Sequence, residues 1–301
     1  MELVAGFLES TMRYAAPLCC AALGECVSER AGVTNIGLEG SIIAGALGAT
    51  IVAGAAGTGA GFAAGIAAGV VIAAIFAVFT VWLRADQIIT GTAITLLALG
   101  LTGTLYESVY GTGGVALSIP TIGAVAIPGL SAIPVIGHAF FAQPLSTYAL
   151  YLLAPGLAWW LTRTHAGLAL RAMGEAPEAA IAAGIRPRRT QLLAVLFAGG
   201  MAGLAGAILV LAQAGTFAER MSAGRGFIAI AIVVLGRWNP LGVAAAALLF
   251  GGASALQTLF QAMGWSGIPY QLFLAVPYLL TLVVMASSGS AGTSRPQRSP
   301  G

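Results

Sequence analysis

The groups best suited to nucleophilic, acid–base or ligand chemistry in this 301-residue sequence are two histidines, three cysteines and ten carboxylates. Lysine is absent, so a phosphate-cradling G-x-x-x-x-G-K-[ST] loop is impossible and the chain does not hydrolyse ATP by that route. Neither His138 nor His165 opens an H-E-x-x-H pair, and no G-x-S-x-G occurs. The two histidines fall in different loops, where exposed or capping roles suit them. Cys19, Cys20 and Cys26 match neither a zinc pattern nor Cys-x-x-Cys, and read as small apolar helix residues. No catalytic residue, metal site or cofactor is expected.

The carboxylates are more informative. Glu29 and Arg30 mark an interface, after which Asn35 and Glu39 enter an apolar run broken by Gly32, Gly37 and Gly40. A charge deep in a bilayer costs about 2.5–3.5 kcal/mol or more unless it is paired or wetted. Glycine-broken half-helices carrying polar groups line the sites of transporters. Asn35, Glu39, Thr95 and Gln213 are therefore candidate pathway or gate residues. The alternative is a re-entrant turn in which Glu39 pairs with Arg30 or caps backbone amides. The other threonines in apolar runs, Thr90 and Thr92, suit bonding to their own helix backbone, as do Ser254, Gln257 and Gln261 to local structural roles.

The elements that position these groups follow from composition. Hydrophobic residues make up 58% of the chain and charged residues 8%, with a mean hydropathy of +0.94. Soluble domains carry about 25% charged residues, so lipid is the solvent this surface suits. A span needs about 20 apolar residues. On that length the expected segments are 11–27, 38–58, 60–83, 88–108, 146–162, 190–213, a short 226–236, 240–261 and 270–286. The fold class is all-α, a polytopic transmembrane bundle of eight or nine spans, occupying residues 1–286. Residues 287–301 read as a disordered cytoplasmic tail. Glu2 and Glu9 leave no basic region ahead of the first segment, so no cleaved leader is expected.

Gly57, Gly61, Gly65 and Gly69 recur every four residues and place one bare face on segment 60–83; Gly199, Gly203 and Gly206 make a looser stripe on segment 190–213. The apolar, proline-broken loop 109–145 is expected to cap the outer mouth of the bundle or to rest on the helices as a connector.

Arginine placement sets orientation. Arg163, Arg171, Arg186, Arg188 and Arg189 share one connection; Arg30, Arg84, Arg237, Arg295 and Arg298 fall on the same side. Arg13, Arg220 and Arg225 remain for the other side. The loop 163–189 and the C-terminus are thus expected in the cytoplasm, with Trp82, Trp159, Trp160 and Trp238 as an interfacial belt. The arginines form no single basic face, so nucleic acid is not an expected partner.

That cytoplasmic loop holds GEAPEAAIAAGI, Gly174 to Ile185. Pro177 suits a first helical turn, Glu175 and Glu178 suit the positive N-terminal end, alanines keep the helix slim, and Gly184 can end it. A short helix held at the inner face of the membrane suits docking into a groove on a soluble partner; the alternative is a plain interfacial helix.

The pattern Gly-Glu-x-x-x-Ala-Ala-x-x-x-Gly-Ile resembles the coupling helix of ABC-importer permeases. The matching residues are Gly174, Glu175, Glu178, Ala179, Ala180, Gly184 and Ile185. Residues 25–49, 127–137 and 222–257 resemble the nucleoside and simple-sugar branch of that family, so the likeness covers nearly the whole chain. The resemblance implies a cytoplasmic ABC ATPase subunit, a second permease of similar but non-identical sequence, and an extracytoplasmic substrate-binding lipoprotein. It implies a bacterial cytoplasmic (inner) membrane location and import of nucleosides or related simple sugars. Ribose or a branched-chain amino acid is the neighbouring alternative. A self-sufficient secondary transporter would need a mid-span carboxylate, whereas Glu39 and Asp86 lie near cytoplasmic ends.

Overall fold

The computed structural model describes residues 2–111, 119–131, 133, 136–262 and 279. Apart from residue 279, the expected last span 270–286 lies outside the described residues, as does the tail 287–301. What is described is all-α apart from one short antiparallel strand pair.

Helix α1, Glu2–Arg30, runs through the centre of the molecule. Cys20, Ala21, Ala22, Leu23 and Cys26 are fully buried, as small apolar residues packed on every side must be. Arg13 and Glu25, charges within its apolar stretch, both find partners outside the helix. The Arg13 guanidinium donates to the Gln213 carbonyl at 2.7 Å, and the Gln213 amide donates back to the Arg13 carbonyl. Glu25 accepts the Asn35 N–H at 2.7 Å.

Helix α2, Leu38–Ala77, continues through a π-helical turn Val78–Trp82. A straight helix of that length would be about 68 Å long, more than twice a bilayer core of roughly 30 Å. Gly57 resolves the excess: at φ 86° and ψ 171° it folds the stretch into two antiparallel arms, the expected 38–58 and 60–83 spans. Across the hairpin, a Cβ on Gly48 would meet Ala68 at 3.1 Å, and one on Gly61 would meet Ala53 at 2.7 Å. Gly57 is therefore the turn and not a member of the glycine stripe, since the chain needs positive φ there.

The two glycine stripes face each other. Helix α8, Pro187–Ile208, extends through a π-helical turn Leu209–Ala214 and packs its Gly199 and Gly203 onto Gly65 and Gly69. Any Cβ on Gly69 would overlap the Gly199 carbonyl oxygen, and one on Gly203 would overlap that of Gly65. Gly206 sits equally close against Ile42 on the first arm of α2.

Helix α3, Gln87–Tyr110, starts at Asp86, whose carboxylate caps the Ile88 and Ile89 amides at 2.9 Å. Thr92, Thr102 and Thr104 donate to their own helix backbone. After it, Val125–Ala126 (β1) pairs with Ala142–Gln143 (β2) around α4, Ile136–Phe141. This loop rests on the end of α8, through Ile119 N–H to the Gly215 carbonyl and Ile122 N–H to the Leu211 carbonyl. His138, exposed, lies 3.5 Å from Glu9 of α1.

Helix α5, Leu145–Arg163, leads to α6, His165–Glu175, and α7, Pro177–Ala182. Helix α9, Arg225–Leu235, is short, and α10, Pro240–Ala262, packs along α1. Among the described residues four stretches are long and apolar enough to cross a membrane: Leu38–Trp82, Gln87–Tyr110, Pro187–Ala214 and Pro240–Gln261.

Candidate functional site

The loop 163–189 folds back on the bundle and then projects from it. Thr164 starts α6 by accepting the Gly167 N–H, and Gly167 lies directly on the Trp160 carbonyl of α5. Leu170 and Met173 are buried beneath it. At its far end Gly174 seats on the last turn of α1, where a Cβ would overlap the Arg30 carbonyl oxygen. Glu175 pairs with the Arg30 guanidinium at 3.0 Å.

Past this seat the chain leaves the bundle. Pro177 stands at the start of α7, Glu178 in its first turn, and Gly184 closes it with φ 84°. Ile185 N–H returns to the Ala180 carbonyl at 3.0 Å. Ala180 is 2% exposed, whereas Pro177, Glu178, Ala179, Ala182 and Gly184 are exposed and Ile181 is 53% exposed. A buried alanine seats a slim helix whose other side chains are exposed.

The stretch between α1 and α2 is the second polar centre. Ser28 Oγ donates to the Val33 carbonyl, and Thr34 N–H donates to Gln87 Oε1. Asn35 is fully buried, and Thr95 Oγ reaches the Ile36 carbonyl at 3.4 Å. Glu39, 5% exposed, accepts the Gly224 N–H at 2.8 Å and the Gly226 N–H at 2.6 Å. A carboxylate at the N-terminal end of α9 meets the orphan amides and the positive end of the helix dipole. Each hydrogen bond to such a charged group contributes about 1.5–3 kcal/mol, which offsets the cost of burying it. Arg30 is not the partner of Glu39.

The other end of α9 is tied to α1. Trp238 Nε1 donates to Glu29 Oε2, and Arg30 Nε donates to the Trp238 carbonyl at 2.9 Å. Arg30 thus holds Glu175 of the projecting loop and the chain just after α9 at once.

Of the candidate pathway residues, Asn35, Glu39 and Thr95 come together around the α1–α2 link. Gln213 does not: it sits with Arg13 where α8 ends. Glu25, Glu29, Gln87 and Trp238 belong to the same network and were not candidates. Glu25 and Glu29 lie one helical turn apart, a spacing that puts both on one face. No group of three or more His, Cys, Asp or Glu residues able to hold a metal is found among the described residues.

A family model described as branched-chain amino acid transport system / permease component matches residues 7–285. The guanosine ABC transporter permease protein NupQ of Bacillus subtilis is 34% identical over 95% of this chain and 92% of its own length. The nucleoside ABC transporter permease protein NupC of Lactococcus lactis is 36% identical, over 91% and 89%. The glucose ABC transporter permease protein TsgB13 of Haloferax volcanii is 30% identical, over 94% and 76%. No solved structure matches.

Proposed function

This chain belongs to the family of branched-chain amino acid transport system permease components, and we propose that it forms the path for nucleosides or related simple sugars in an ABC importer. The family makes it a multi-pass membrane permease, a transport component and not an enzyme. In the proposed assembly it sits in the cytoplasmic membrane with eight or nine spans, its loop 163–189 and its C-terminus in the cytoplasm. Its partners are a cytoplasmic ATPase subunit, a second, similar permease chain and an external binding lipoprotein.

The observation that carries the reading is the projecting helix α7. Its exposed surface, Pro177, Glu178, Ala179, Ile181 and Ala182, is mostly apolar and slim enough to enter a groove, and the buried Ala180 seats it on the bundle. Gly174, Glu175 and Arg30 give a push on α7 a short route into the membrane: from the loop to the end of α1, and through Trp238 to α9. A ligand-driven change needs such a two-state element biased by its partner.

The relatives named for guanosine, nucleosides and glucose support a neutral, hydroxyl-rich solute. A self-sufficient secondary transporter fits less well, because Glu39 and Asp86 are both occupied in capping helix amides. The test is uptake by vesicles holding this chain with and without its ATPase subunit, with labelled guanosine, glucose and leucine. ATP-dependent uptake of guanosine or glucose is expected. Uptake that persists without the ATPase overturns the reading, and uptake of leucine alone reassigns the solute.

A further inference from the structure

We infer that a water-filled cavity between the outer half of α3 and the segment 215–224 is a binding station for a neutral, hydroxyl-bearing solute on the transport path. This rests on the reading of the chain as an importer permease and locates the path on its surface. The cavity holds about 650 Å³ and is lined by Gly100, Gly103, Thr104, Glu107, Glu219 and Arg220, among others.

Three observations converge on it. The first is spacing: residues 96, 100, 103, 104 and 107 form one stripe of α3, in which Leu96 is the one large apolar side chain and the rest are small or polar. Leu97, Leu101, Leu105 and Val109 form another stripe, exposed and apolar, as a lipid-facing surface is. The second is that a Cβ on Gly100 or Gly103 would meet nothing within 4 Å. Their smallness serves no packing contact among the described residues and leaves the helix backbone bare to the cavity.

The third is depth. The segment 215–224 leaves the end of α8, where Gly215 accepts from Ile119, and returns to Gly224, whose amide Glu39 holds. Gly40, next to Glu39, packs on Thr95 and Ala98, so this return point lies about 12 Å or more along α3 from Gln87. Glu219 and Arg220 are exposed on the non-helical stretch that climbs from this return point toward the outer end of α3, where they share the cavity with Thr104 and Glu107. Exposed charges and irregular backbone running from mid-span to the outer edge stand where they meet water. Tyr106 and Phe217, with ring centroids 5.0 Å apart, tie the two walls together.

The chemistry selects the solute class. Glu107 and Glu219 offer carboxylate oxygens to hydroxyl donors, and Arg220 balances one of the two charges. A net negative lining disfavours phosphorylated or other anionic solutes and admits a sugar or nucleoside. The volume lies within the roughly 300–1,000 Å³ of small-molecule sites.

The test uses the full chain in the assembled transporter, in membrane vesicles with the outer face exposed. Cys19, Cys20 and Cys26 are buried, so background labelling is low. Gly103→Cys and Glu219→Cys are treated with a charged, membrane-impermeant thiol reagent, with Leu101→Cys as the lipid-facing control. Gly103→Cys and Glu219→Cys are expected to react about a hundredfold faster than the control, the factor that a charge in lipid implies. Guanosine or glucose, whichever is transported, is expected to slow both. Glu219→Gln is expected to raise the uptake KM about tenfold or more while the ATPase subunit still copurifies. Equal reactivity at positions 103 and 101, or fast labelling that no transported solute slows, overturns the proposal. ATP dependence of wild-type uptake, measured on the same vesicles, reports separately on the importer reading.

Discussion

Replacing Gly174 with alanine should uncouple the transporter without dismantling it. In the structure a Cβ at this position would overlap the Arg30 carbonyl oxygen and lie 2.9 Å from the carbonyl carbon, where real contacts stay beyond 3.0 Å. Both neighbours are backbone, so neither can swing aside. The loop must lift from α1 by about 1 Å, at an overpacking cost of about 1–3 kcal/mol. That lift also stretches the 3.0 Å contact between Arg30 and Glu175 past hydrogen-bond range. The ion pair itself is partly exposed and is worth only about 0.2–1 kcal/mol, so the lost seat is the larger effect. A coupling free energy weakened by this amount lowers solute moved per ATP about fivefold or more. The assay measures uptake and ATP hydrolysis on the same proteoliposomes, with copurification of the ATPase subunit as a check on assembly. Gly156→Ala on α5, where a Cβ meets nothing within 4 Å, is the control. An intact Gly174→Ala complex with the wild-type ratio of uptake to hydrolysis would mean that the seat of Gly174 on α1 carries no coupling.

Other substitutions test the scaffold. Glu39→Ala leaves the Gly224 and Gly226 amides without their acceptor. It should destabilise the chain by about 2–5 kcal/mol, read as a lower unfolding temperature in detergent, and Glu39→Gln should recover part of the loss. Gly69→Ala forces α2 off α8 at the crossing with Gly199 and should cost about 1–3 kcal/mol or more in the same assay, whereas Gly54→Ala, open on all sides, should cost little. Arg30→Ala removes the hydrogen bonds to Glu175 and the Trp238 carbonyl together. It should lower uptake per ATP, with Arg30→Lys recovering only part because a single ammonium replaces the planar fork.

Much of this architecture is written locally in the chain. The glycine stripes at 61–69 and 199–206 announce a close helix crossing because small residues at helical spacing have little other use in a membrane. The turn at Gly57 was harder to see, since the same four-residue spacing runs through it; only the limit on span length forces the fold there. Helix α1 carries Arg13 and Glu25, which lower its apolar character, yet residues 15–29 are buried throughout. Both charges are met by Gln213 and Asn35, and one of those contacts bridges 200 positions. Glu39 was legible as a buried carboxylate, but its partners lie 185 and 187 positions away, beyond any local pattern. Gln213 was picked by polarity alone, and its hydrogen bonds with Arg13 of α1 lie beyond any local pattern. The α3 stripe 100–107 could be read by spacing, but only the empty space beside Gly100 and Gly103 distinguishes a cavity wall from a packing seam.

Helix α7 does its proposed work only if it meets the ATPase subunit on the cytoplasmic side. A cysteine at Ala179, exposed and beside the anchoring Ala180, tests it most directly in a chain whose own cysteines are buried. A crosslink from this position to the ATPase subunit is expected in inside-out vesicles, with no labelling of the same cysteine from the outer face. Labelling from the outer face, or an ATPase that assembles and drives uptake without approaching this residue, would contradict it.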